Sequence, residues 1–284
     1  MLSNTFIMKK NCVLIVLLFS IFTCHAQTEV PASVEFDLLL IIKPTGSIPE
    51  LGYSYTMNEE DIAAATKSYL EYFPALVTKL SNGTVKVNTT VKVSSRPVST
   101  LSSLNDSYWL SPADVKEDAK EFTEIGQYDC VQTYYSLTGM GVKILWGLGC
   151  FDFFEETNYA GYCAIVYRES FSTPEYQDPD SYAHEIWLHE WMHSLEGFYY
   201  NILGVRRPPH PAHLDAAENL GYKSDITENG VCINNLPAFY SHHLMGKFID
   251  FTHPLRPSID GGFGPEAWKY GTPKKYYREK FAVD

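Results

Sequence analysis

The sequence predicts an α+β fold with a regular N-terminal half, one long helix and a loop-rich C-terminal half. Three observations lead there. Strand-like and helix-like stretches precede residue 179, a helical stretch then covers 179–203, and the remainder is rich in Pro, Gly and aromatic residues with weak periodicity. With 284 residues, 45% hydrophobic and 14% aromatic, the chain is long and apolar enough to bury a sizeable core.

The elements follow in chain order. Residues 34–42, VEFDLLLII, alternate and then become wholly apolar, the pattern of a strand buried on both faces. Thr56-Met57-Asn58-Glu59 has the capping-box order, and helix formers continue to Tyr72, with Pro74 expected to end or kink the helix. Asn82-Gly83 marks a turn. Val85, Val87, Thr89, Val91 and Val93 alternate with Lys86, Asn88, Thr90 and Lys92, as a half-buried strand requires. Ser111-Pro112 with Asp114 opens a second helix whose Val115, Ala119 and Phe122 share a face, and Gly126 follows its end. Residues 128–135 and 161–167 read as two more strands. No repeat or low-complexity linker intervenes, so 27–284 is expected to be one domain, with 27–203 as its N-terminal and 204–284 as its C-terminal subdomain.

Met8-Lys9-Lys10, the apolar run 12–22 and Cys24-His25-Ala26 have the basic, apolar, small-residue order of a secretory signal, so residues 1–26 are expected to be removed and the chain exported. Ile21-Phe22-Thr23-Cys24 loosely resembles a bacterial lipobox, which makes a lipid tether at Cys24 the alternative to simple secretion. The apolar run is short for a bilayer span and no later run is longer, so no transmembrane segment is expected. Cys130, Cys150, Cys163 and Cys232 remain, enough for two disulfides in any of three connectivities, with buried thiols as the other reading. Removing 1–26 takes away Lys9 and Lys10 and no acid, so the formal charge of −12 becomes −14. That balance argues against a nucleic-acid partner, and the basic cluster Lys269, Lys274, Lys275, Arg278 and Lys280 reads as a solvated face.

The chemistry lies in LHEWMHSLEGF, residues 188–198. On a helix, His189 and His193 stand within about 40° of each other, so both imidazoles reach one ion. Glu190 projects beside that point, where its carboxylate can take a proton from a water acidified by a metal. HEWMH, His189 to His193, resembles the HExxH motif of the zincin metallopeptidases, which are secreted zinc proteases. The resemblance implies a twisted mixed sheet, backing helices and an active-site helix, and its element order covers about 34–203. It also implies Zn2+ as cofactor, His189 and His193 as ligands, and Glu190 as general base.

A third ligand must come from elsewhere. Metzincins place a third His six positions after the second, and here that position is Tyr199. In thermolysin-like gluzincins a Glu lies about twenty positions on. Twenty past His193 is His213, followed by Asp215 and Glu218 in HLDAAENLGY. His213 is the expected ligand, with Asp215, Glu218 and Glu196 as alternatives, and the family within the clan stays unassigned. Glu196 and Glu185 share the His189/His193 face, where a carboxylate can fix the tautomer of a ligating imidazole or simply pair along the helix. His184 points away and reads as structural, and His210 as a residue of a Pro-rich loop. Tyr240-Ser241-His242-His243 offers oxyanion donors, of which Tyr240 is the first choice, against ordinary aromatic packing.

The reading is a secreted zinc-dependent peptidase acting on a peptide or protein substrate. The rival is a secreted or surface-tethered binding protein on a catalytically silent zincin scaffold, for which the aromatic C-terminal half would be the recognition surface. Glu190 speaks against it, because a silent scaffold needs no base beside its ligands.

Overall fold

The computed structural model describes residues 33–141, 147–150, 155–167, 172–179, 181, 184–207, 219–222, 226–228, 231–233, 236–252 and 258–282. They fall within one compact unit, Ser33–Asp284, of mixed α and β structure. In chain order, β1 (Val34–Ile42) leads through the hairpin of β2 (Thr45–Ile48) and β3 (Tyr53–Thr56) into α1 (Glu59–Lys67), a π-helical turn at Ser68–Tyr72 and α2 (Phe73–Leu80). β4 (Val85–Val93), the hairpin of β5 (Ser102–Leu104) and β6 (Ser107–Trp109), α3 (Lys116–Phe122) and β7 (Cys130–Tyr135) follow. Next come β8 (Gly147–Cys150), β9 (Gly161–Val166), the single turn α4 (Pro174–Gln177) and the motif helix α5 (Glu185–Glu196). The last part holds β10 (Ile226–Glu228), β11 (Val231–Ile233), α6 (Leu236–Met245), β12 (Lys247–Ile249), β13 (Ser258–Asp260), α7 (Gly264–Trp268) and α8 (Pro273–Phe281).

The main sheet has the order β4-β1-β7-β9-β8. Its first four strands are parallel, and β8 runs antiparallel to β9 at the edge. A parallel sheet needs cover on both faces, and β1 supplies it residue by residue. Phe36, Leu38, Leu40 and Ile42 point into one core with α1, α2 and α5; Leu39 and Ile41 point into another with Trp109, Leu110, Val115 and Tyr135. Every residue of β7 and β9 is likewise buried.

Three helix boundaries differ from the sequence expectation. Thr56 is held in β3 opposite Thr45, so the cap falls to Asn58, whose side chain accepts the amide of Asp61 at 2.7 Å. Pro74 does not end the helix. The wide turn at Ser68–Tyr72 precedes it, and Pro74 enters α2 in its first turn, where a missing N–H is tolerated. The long helix expected over 179–203 starts later, at Glu185 in α5, and is continued by a π-helical stretch, Gly197–Ile202. Cys130 and Cys163 face each other as buried thiols, Sγ atoms 3.5 Å apart, in place of a disulfide. Cys24 and the side chain of Cys232 lie outside the described residues. No helix among the described residues is long and apolar enough to cross a membrane.

Asp129, just before β7, ties distant parts together. Its carboxylate accepts the amide of Asp37 in β1 at 2.8 Å and that of Lys274 in the first turn of α8 at 2.7 Å, while Lys274 pairs with Asp37. Burial pushes the Asp129 carboxyl from its ordinary 3.8 up to about 7, and the Thr272 hydroxyl and the Lys274 amide only partly oppose this. The folded chain therefore binds this proton more tightly than the unfolded chain. The stability it contributes is fully present below about pH 4 and is lost as pH rises through about 7. Urea titrations across pH 4 to 8 should show that decline in the native protein relative to Asp129→Asn, which lacks the proton.

Candidate metal centre

α5 reads EIWLHEWMHSLE, without Gly or Pro, and its apolar residues wrap so far round the axis that it can only sit in a core. Trp187 meets Tyr69 and Tyr134 edge-on, with ring centroids 5.2 and 5.5 Å away, and Trp191 meets Phe36 at 5.0 Å. The indole of Trp187 donates to Ser68 Oγ at 2.9 Å; Ser68 Oγ lies 2.9 Å from His184 Nδ1, and His184 Nε2 lies 2.9 Å from the carbonyl of Asp178. Burial lowers the pKa of His184, which serves as a neutral link in this chain and not in the metal centre. These contacts fix the rotation of α5 and turn the stripe of Glu185, His189, His193 and Glu196 away from the deepest core.

On that stripe the imidazoles converge. Nε2 of His189 and Nε2 of His193 are 3.3 Å apart, and a carboxylate oxygen of Glu190 completes a group whose ligand atoms lie within 4.8 Å of one another. Among the described residues this is the one group of three His, Cys, Asp or Glu side chains with that geometry. Glu190 itself is 5% exposed, and both imidazoles are half-buried. Behind His189, Tyr240 of α6 places its hydroxyl 2.7 Å from Nδ1 and donates to Glu185 Oε2 at 2.8 Å. The phenol proton is thereby committed, so its oxygen accepts the Nδ1–H of His189. That tautomer leaves the Nε2 lone pair aimed at His193. Behind His193, Glu196 Oε2 lies 3.9 Å from Nδ1, and its other oxygen is 3.5 Å from Nε2 of the buried His243. Tyr200 Oη is 2.8 Å from that same His243 nitrogen.

The structure thus brings His189, Glu190, His193 and Tyr240 together, with Tyr240 on the far side of His189 from His193. Glu196 approaches Nδ1 of His193 at 3.9 Å, beyond hydrogen-bond reach, from the side opposite the converging Nε2 atoms. His210, His213, Asp215 and Glu218 lie outside the described residues. The run 240–243 falls in α6, where Ser241 and His242 turn away from the face that Tyr240 and His243 share. Ser241 donates to the carbonyl of Leu80, His242 bonds Tyr222 through Nδ1 at 2.7 Å, and His243 faces Glu196.

The feature absent from the sequence reading is β8. Its Gly147 and Gly149 share one face, and that face lies against α5. A Cβ on Gly149 would stand 2.0 Å from the carbonyl oxygen of Glu190 and 2.7 Å from Cβ of His193; one on Gly147 would stand 2.0 Å from Glu190 Oε1. The strand rests on the motif because it has no side chains there. The visible signal was the alternation in Gly147-Leu148-Gly149, a period-2 bare stripe.

The structure thus places a His-Glu-His group that could hold a metal ion on a helix beside a sheet edge. Compared with known proteins, this chain matches no protein-family model, and no curated protein is significantly similar to it.

Gly149→Ala should lift β8 off α5 and cost about 1–3 kcal/mol, read as a fall in Tm of about 2–4 °C per kcal/mol in a thermal melt. Gly147→Ala meets a rotatable carboxylate instead of backbone, so its Tm should fall less while Glu190 is displaced.

Proposed function

We propose that this protein is an exported zinc-dependent peptidase on a zincin-like scaffold. The observation that carries the reading is the 3.3 Å separation of the two Nε2 atoms. Nitrogens each about 2.0–2.1 Å from a tetrahedral ion stand about 3.3–3.4 Å apart, so the pair is spaced as two ligands of one zinc. His189 and His193 would hold the ion, with a further ligand from the segment containing His213, Asp215 and Glu218. A zinc ion there supplies a Lewis acid that acidifies water and polarises a carbonyl.

The protein's own groups perform the rest. Glu190 stands beside the imidazole pair and not behind it, so its carboxylate takes the proton of an attacking water and delivers it to the departing amine nitrogen. Its low exposure keeps that transfer away from bulk solvent. Tyr240, expected as the oxyanion donor, has its proton engaged by Glu185 and serves behind the ligand instead. β8 supports a peptide substrate. Among the described residues it is the terminal strand of the sheet, and its backbone runs directly over Glu190 and His193, where an extended chain could add by main-chain pairing and lie beside the His189/His193 pair. The mixed sheet, its packed helices and the motif-bearing helix support the zincin-like assignment, and the signal-like residues 8–26 support export.

Residues 27–284 should hold one zinc by metal analysis and cleave members of a mixed peptide library. Glu190→Gln should keep the zinc and lose about 10²–10⁴-fold in hydrolysis, whereas His193→Ala should lose the metal. His213→Ala tests the third ligand in the same assay. Zinc without cleavage would favour the binding protein or a hydrolase of other substrates; no zinc at all would overturn the metal reading.

A further inference from the structure

We propose that α6 is a brace that presets both imidazoles for metal, with Tyr240, backed by Glu185, positioning His189 directly and His243 acting on His193 through Glu196. The inference rests on the metal reading above and extends it to residues outside the HExxH motif.

Tyr240 and His243 are three apart on α6 and therefore share a face. Each is buried, at 1% and 0% exposure, and each reaches one of the two carboxylates that flank the motif on α5. Glu185 lies one turn before His189, and Glu196 lies one turn after His193. One helix thus meets the other at both ends of the motif; the first contact ends in a hydrogen bond at His189 Nδ1, and the second sets the Glu196 carboxylate 3.9 Å from His193 Nδ1.

The two arms differ in kind. The first is a continuous hydrogen-bonded chain, His189 Nδ1–H to Tyr240 Oη and Tyr240 O–H to Glu185 Oε2, at 2.7 and 2.8 Å. It fixes tautomer and ring plane together, because the phenol has one proton and gives it to the carboxylate. In the second arm Glu196 lies between two imidazoles, at 3.9 Å from His193 and 3.5 Å from His243, and Tyr200 Oη holds the far imidazole at 2.8 Å. That arm positions a negative charge behind His193. The first arm raises the donor strength of His189 Nε2 through the phenol that Glu185 polarises, and the second acts on His193 by charge alone. The reach is long because α6 comes from 50 residues further along the chain, so ligand geometry depends on the docking of the C-terminal part.

The test compares the native chain with Tyr240→Phe, which keeps the ring and removes the hydroxyl, and with Glu185→Gln and Glu196→Gln. In the metal-free proteins, ¹⁵N imidazole NMR should report Nδ1–H for His189 in the native chain and a shift toward Nε2–H in Tyr240→Phe. Zinc affinity, measured by competition with a chromophoric chelator, should fall about 10–100-fold in each variant. Glu185→Gln serves as the second probe of the first arm if Tyr240→Phe folds poorly. If the native protein binds zinc and Tyr240→Phe and Glu185→Gln bind it equally well with an unmoved tautomer, the brace is wrong and the metal reading stands. If the native protein binds no zinc, the metal reading falls, and the tautomer in the metal-free chain still decides whether the first arm exists.

Discussion

Everything at the centre of this protein depends on α5 lying flat against β8 and β9. The contact is close because β8 offers bare backbone at Gly147 and Gly149, and it is fixed in rotation because Trp187 and Trp191 are locked among Tyr69, Tyr134, Phe36 and Phe73. A helix that turned by a fraction of a residue would bury His189 or swing Glu190 away from the edge strand. The sheet, built from strands buried on both faces, is the rigid floor against which that orientation is held.

The polar groups near α5 are arranged by the same packing. Ionisable side chains are expensive to bury alone, and here each has partners: His184 between Ser68 and Asp178, His243 between Tyr200 and Glu196, Tyr240 between His189 and Glu185. Those links leave the Nε2 atoms of His189 and His193 directed at each other. A 3.3 Å gap between two imidazole Nε2 atoms is closed either by an N–H···N hydrogen bond or by a cation held between the rings, and the proposed function takes the second.

Much of this was legible beforehand. The fully apolar run in β1, the alternation in β4 and the HExxH spacing on a helix each encode their structure locally, through periodicities of 2 and 3.6 that a reader can count. Glu196 and Glu185 were visible as members of the histidine face for the same reason. Tyr240 was picked out by residue type and not by geometry. Its side of His189 depends on where α6 docks, and nothing local to residues 236–245 states that.

The sequence alone determined four of the five strands of the sheet, β1, β4, β7 and β9, the helix under the motif and the placing of His189, Glu190 and His193 side by side on it, because neighbours within one turn or one pleat are set by backbone geometry. Tertiary structure alone decided that β8 lies on the motif, that Asn58 and not Thr56 caps the first helix, that Cys130 and Cys163 meet as thiols, and that Tyr240 stands behind a histidine. Each of these joins residues far apart in the chain or depends on strand pairing, and such contacts are selected by the packing of whole elements, which no local pattern records.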